Sequence, residues 1–147
     1  MARPMIKTLL SAMLLPALFA AGRCEAQIQG DLNGQTAAEF HAADKELNSI
    51  YQKILADYAD DEAFIANLKE AQRCWITFRD AQLKMKYPDR EPGYYGSIQP
   101  MCEANYLAEL TRERTAALEV WLAGVEEGDV CAGTVKTRDT GGNDARE

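Results

Sequence analysis

The residues able to do chemistry in this chain are few, and most sit at helical spacing. Arg79 and Asp80 close the stretch Ala71-Gln72-Arg73-Cys74-Trp75-Ile76-Thr77-Phe78-Arg79-Asp80, with Arg79 four residues after Trp75. Thr111 and Arg114 lie further along, and Asn48 precedes both. A charged residue on the edge of an apolar helix face has to be answered by a polar group, because burying it unpaired is expensive. Asn48, Arg79, Asp80, Thr111 and Arg114 brought together between helices make either a polar site or a network that fixes helix register. The network is the expectation, since each charge then has a partner.

No catalytic set accompanies them. The single histidine, His41, has no co-ligands at a useful spacing, so no metal is expected. Cys74 has no histidine at helical spacing and is expected to be packed rather than nucleophilic. Glu126 and Glu127 read as solvated charges. Gly93 and Gly96 have no lysine after them, so they do not form a phosphate loop. These absences argue against an enzyme and against any cofactor.

The residues best suited to binding lie in Tyr87-Pro88-Asp89-Arg90-Glu91-Pro92-Gly93-Tyr94-Tyr95-Gly96-Ser97-Ile98-Gln99-Pro100. Its prolines and glycines forbid a regular helix, and a loop of this length in a small domain is often functional. Tyr94 and Tyr95 offer rigid aromatic surface beside Asp89 and Glu91, the composition of a protein-binding patch. The alternative is that both tyrosines fold down to cap the end of the domain.

Three helices must position these residues. Thr36 and Glu39 have capping-box spacing and predict a first helix from Thr36, after a flexible leader over 27–35. Phe40, Ala43, Leu47, Ile50, Ile54 and Tyr58 mark one face of it. Asp60, Asp61 and Glu62 place negative charge at the start of a second helix. Phe64, Leu68, Ala71, Trp75, Phe78, Gln82 and Met85 repeat at steps of three and four along that helix, so Trp75 and Phe78 are expected under apolar neighbours. Lys84 and Lys86 fall in its last turn, and Pro88 ends it. Pro100 suits the first turn of a third helix, which carries Ala104, Leu107, Leu110, Ala117, Leu118 and Trp121 and stops before Gly124. No segment alternates with period two. The expected fold is therefore all-α: a small antiparallel three-helix bundle with a long loop between helices two and three.

The 147 residues suffice for one small domain. Residues 1–26 read as a secretory signal, with Arg3 and Lys7 before an apolar run too short for a membrane anchor. Cleavage is expected after Gly22 or Ala26, and Arg23 before Cys24 argues against a lipoprotein site. Residues 27–127 form the helical domain and 128–147 a mostly flexible tail beyond Cys131. The chain carries a net charge of −7, which becomes −9 once Arg3, Lys7, Arg23 and Glu25 are removed. An acidic chain is a poor binder of nucleic acid or anionic membrane, and suits a basic partner or simply solubility. Four cysteines in an exported chain predict disulfides. A third helix over 104–122 spans about 28 Å. The nine residues 123–131 reach about 30 Å when extended. A Cys102–Cys131 bridge is thus feasible only if the tail folds back along that helix, and cleavage after Gly22 leaves Cys24 as a further partner.

Leu47-Asn48-x-x-Tyr51, Ala71-Gln72-x-x-Trp75-x-x-Phe78-Arg79-Asp80, Gly96-Ser97 before Cys102, and Leu110-Thr111-x-x-Arg114 resemble the LprI-like lysozyme-inhibitor family of exported bacterial proteins, over about residues 36–122. The resemblance implies a small helical domain outside the cytoplasm and inhibition of lysozyme. Thr36 and Leu83 stand where the family commonly has cysteines, so the usual partner of Cys102 is missing, which favours pairing with Cys131. Two functional expectations follow. One is a periplasmic or secreted inhibitor of a basic c-type lysozyme, steered by its acidic surface and blocking the cleft with the 87–99 loop. The other is an accessory envelope protein that binds another envelope component. An unrecognised enzyme is the third and weakest reading.

Overall fold

The computed structural model describes residues 15–138, with side chains from Gln27 onward. Three helices follow one another: α1 (Leu15–Asp57), α2 (Glu62–Lys86) and α3 (Gln99–Ala123). Their ends obey local rules. The Asp61 carboxylate accepts the Phe64 amide at 2.9 Å and caps α2. Lys84 and Lys86 occupy the last turn of α2, and Pro100 sits at the start of α3. The short turn between α1 and α2 makes a helical hairpin, and the 87–98 loop returns the chain so that α3 runs antiparallel to α2. No regular strand occurs among the described residues.

The first helix departs from expectation. It runs unbroken through 27–35, with Gly30 and Gly34 inside it, so no flexible leader precedes Thr36 there. Thr36 is not a cap. It is buried in mid-helix, and its hydroxyl donates to the carbonyls of Leu32 and Asn33, both at 3.1 Å. A threonine bonded back to its own preceding turn needs no free helix end. Of the expected signal, residues 1–14 lie outside the described residues, as do the side chains of 15–26.

The core follows a narrower set of positions than the apolar stripes. Ala43, Leu47 and Ile54 of α1, with Tyr58 in the turn after it, share the buried core with Ala108, Thr111, Thr115 and Leu118 of α3. The small residues among these let α1 and α3 approach closely, while α2 stands further off. Thr111 is fully buried, and its hydroxyl donates to Leu107 O at 2.7 Å, while Thr115 donates to Thr111 O at 3.0 Å. Both hydroxyls are thus satisfied within α3, which removes the penalty of burying them. On α2 the inward face is Phe64, Leu68 and Gln72, with Trp75 half-buried. Phe78 is 52% exposed and Met85 70%. The expectation that Phe78 is covered fails because steps of three and four admit two adjacent faces, and α1 and α3 cover the one through Gln72 and Arg79.

At the end of the bundle opposite the loop, Tyr58, Phe64 and Trp121 form an aromatic cluster. Their ring centroids are 4.4 Å apart for Tyr58–Phe64 and 4.9 Å for Phe64–Trp121. This cluster anchors the chain beyond α3. Gly124 ends α3 at φ 70°, and an added Cβ there would sit 2.9 Å from Lys136 O. Residues 125–138 turn back, and Val125 and Thr137 form an isolated parallel bridge. The Lys136 amide donates to Tyr58 Oη at 3.0 Å, and its ammonium pairs with Asp57 Oδ1 at 3.0 Å. Arg138 donates to the carbonyls of Ala123 and Gly124, both at 3.4 Å, at the free carbonyl end of α3. Residues 136–138, expected within a flexible tail, are therefore docked on Tyr58 and the end of α3, while residues 126–131 form an exposed turn between. The rest of the expected tail, 139–147, lies outside the described residues.

The docking also decides the cysteines. Cys74, Cys102 and Cys131 are all free thiols. The expected Cys102–Cys131 bridge is absent because the chain docks against Tyr58 and Trp121 instead of folding back along α3. Cys102 lies in the first turn of a helix about 37 Å long, and Cys131 lies past its other end. Cys74 is exposed rather than packed, and its thiol donates to Glu70 Oε1 at 3.6 Å.

Candidate binding surface

The 87–98 loop is built by short local turns. The Tyr87 amide donates to Leu83 O at 2.8 Å and closes α2. Tyr94 N donates to Glu91 O and Gly96 N to Gly93 O, each at 3.0 Å. Gly93 and Gly96 take φ of 84° and 73°, a region that favours glycine. The two tyrosines then divide. Tyr95 folds down: its hydroxyl donates to Pro88 O at 2.9 Å, and its ring stands edge-on to Tyr87 at 5.6 Å. Tyr94 is 68% exposed, stacked edge-on against Tyr95 at 4.9 Å, with the Arg90 guanidinium 5.9 Å from its ring. Asp89 and Glu91 are exposed in the same loop. The loop thus presents one aromatic ring on a rigid support, with Arg90 against it and two exposed carboxylates elsewhere in the loop. That arrangement offers an aromatic contact with charges of both signs around it.

Under the loop, burial raises the pKa of Tyr87 above the ordinary tyrosine value, with Cys102 and Glu103 adding to the effect. The Lys86 ammonium lies 3.7 Å from the Tyr106 ring centroid, a cation–π contact that ties α2 to α3 near the loop.

The five expected network residues divide: Asn48, Arg79 and Asp80 are linked through Asp44 and Arg79, while Thr111 and Arg114 stand apart from them. Arg79 pairs with its neighbour Asp80 at 3.0 Å and reaches Asp44 of α1 at 3.7 Å. Its guanidinium also lies 5.7 Å from the Phe40 ring and 5.4 Å from the Trp75 ring. Arg114 forms a separate link, donating from Nε to Gln72 Oε1 at 3.1 Å. Thr111 bonds only within its own helix, and Asn48 is exposed and donates to Asp44 at 3.1 Å. The residues missed from the sequence are Gln72, Asp44, Phe40 and Trp75 as partners of the two arginines. Gln72 was detectable, because Leu68, Gln72, Trp75 and Arg79 follow helical steps as well as the set through Ala71 does. Asp44 was not, since its meeting with Arg79 depends on how α1 packs on α2.

His41 is exposed, and no group of side chains among the described residues is arranged to hold a metal ion. Among the described residues no helix is long and apolar enough to cross a membrane.

Residues 21–118 match the protein family described as lysozyme inhibitor LprI. The chain belongs to the LprI family. The matched span takes in α2, most of α1 and α3, and the whole loop, so the loop is part of the LprI domain. An uncharacterized protein of Rhizobium meliloti (strain 1021), R02472, is 37% identical over 109 residues, covering 67% of this chain and 76% of that relative. No solved structure matches. Membership in LprI carries a lysozyme-inhibitor role in general terms and agrees with the helical architecture. Arg79 and Arg114, which belong to LprI-like stretches of the sequence, each link their helix to a different neighbour.

Proposed function

We propose that this LprI-family chain is exported and acts without catalysis, inhibiting a basic c-type lysozyme by laying its 87–98 loop over the enzyme's cleft. Family membership supports the class of target. The observation that supports the mode is Tyr94, an exposed ring held by Tyr95 in a loop that also exposes Asp89 and Glu91. An aromatic anchor pre-set on a rigid loop loses little entropy on binding. The net charge of −7 steers a cationic partner toward the acidic chain and accelerates encounter. Tyr94 is the contacting ring in this reading, and Tyr95 is its support.

The test is inhibition of hen-type lysozyme by the processed chain at low and physiological salt. Tyr94→Ala should weaken inhibition at least tenfold, the cost expected of an anchor at about 1.4 kcal/mol or more. Asp89→Asn with Glu91→Gln should slow association and flatten its salt dependence. Full inhibition by Tyr94→Ala would remove the loop from the mechanism. Absence of inhibition by the wild-type chain would remove the c-type target.

A further inference from the structure

A cleft of about 450 Å³ opens between α2 and α3 at the end of the bundle away from the loop. Its floor is apolar: Phe64, Leu68, Leu118 and Trp121 line it, and Ala71 and Ala117 stand at its exposed rim. The small alanines, one on each helix, leave the space unfilled. Arg114 forms one wall. Its Nε is used by Gln72, but no carboxylate among the described residues lies within ion-pair distance of its guanidinium. Partial burial lowers its pKa, yet an arginine stays charged under all ordinary conditions. Asp61 marks the other end, at the level of Trp121. The eleven-residue step from Asp61 to Gln72 is about 16 Å of helix.

The cleft therefore has a cation at one end, an apolar floor, and an anion at the far end. We propose that it binds a monomeric amphiphile with one carboxylate on a medium-length alkyl chain, the carboxylate on the Arg114 guanidinium and the chain along Leu68, Leu118 and Trp121. The guanidinium fork suits a carboxylate bidentately. The volume lies within the range of small-molecule sites, about 300–1,000 Å³. Asp61 sets the direction and disfavours a second carboxylate at the far end of the chain. This site is separate from the loop, and its failure would leave the lysozyme reading untouched.

The experiment is calorimetric titration of the full chain with decanoate below its micelle concentration, with decanol, decanedioate and decyltrimethylammonium as comparison ligands, and with Trp121 fluorescence followed in parallel. Decanoate should bind saturably at one site and perturb the fluorescence, more tightly than decanol or decanedioate, and decyltrimethylammonium should bind weakest. Arg114→Gln should weaken decanoate at least tenfold and leave decanol unchanged, and Arg114→Lys should retain most of the decanoate affinity. Ala117→Trp, at an exposed position that tolerates bulk without refolding the core, should abolish decanoate and decanol binding alike. Three results would overturn the proposal. They are no saturable decanoate binding, equal affinity for the anionic and cationic chains, or uptake only by phosphatidylglycerol vesicles with none of the monomer. Unchanged decanoate affinity in Ala117→Trp would do the same even if Arg114→Gln fails to fold.

Discussion

Replacing Tyr58 by phenylalanine tests whether the segment after α3 is part of the domain. The ring is buried and would keep its packing on Phe64 and Trp121, so the change removes only the hydroxyl. That hydroxyl donates to Trp121 O at 3.0 Å and accepts from the Lys136 amide at 3.0 Å. Trp121 O belongs to the last turn of α3, where carbonyls lack helical partners. The Val125 amide, four residues on, is committed to Lys136 O at 3.0 Å instead. Each lost bond contributes about 1 kcal/mol net. Lys136 is exposed, so water can satisfy its amide in part, and the total should fall at about 1–2 kcal/mol. For a domain of this size that is a drop of roughly 4–8 °C in Tm. Urea unfolding followed by far-ultraviolet circular dichroism gives the free energy. Amide exchange should show faster opening at Val125, Lys136 and Arg138 while the α1–α3 core keeps its protection. A loss below about 0.3 kcal/mol with unchanged exchange at those amides would refute the reasoning.

Three further outcomes follow from the packing. Phe64→Ala should cost about 3–5 kcal/mol in urea unfolding, whereas Phe78→Ala should cost well under about 1 kcal/mol, because only the former empties the core. Gly124→Ala should destabilise by more than about 1 kcal/mol in thermal unfolding, since φ 70° strains an alanine and its Cβ meets Lys136 O. Stability should fall as pH rises past about 10, because the folded chain holds the Tyr87 proton more tightly than the unfolded chain does. This contribution is complete below the ordinary tyrosine pKa and is lost as pH climbs through the raised one. Tyr87→Phe should show a shallower alkaline decline in the same unfolding series.

Much of this fold could be read from the chain because its boundaries are local. Asp61 caps α2 by reaching an amide three residues away, and Pro88, Pro100 and Gly124 mark ends by their own backbone chemistry. The same local logic misread Thr36 and residues 27–35. Capping-box spacing permits a cap without producing one, and two glycines weaken a helix without breaking it. The binding loop was legible as a segment, since its prolines and glycines exclude a helix. Which tyrosine faces outward was not, because Tyr95 is turned down by Pro88 O and the Tyr87 ring.

The sequence by itself determined three helices, both ends of α2 and α3, the hairpin order and an acidic net charge. These depend on propensity, capping and charge, which act over a few residues. Tertiary structure alone decided which of two adjacent faces of α2 is buried, that Thr111 and Thr115 belong to the core, and that Arg79 and Arg114 answer different partners. It also decided that the chain after Gly124 docks on Tyr58 and leaves Cys102 and Cys131 apart. Each of those outcomes depends on distances between residues far apart in the chain. Periodicity fixes the direction of a side chain around its own helix but carries no information about where the neighbouring helix lies.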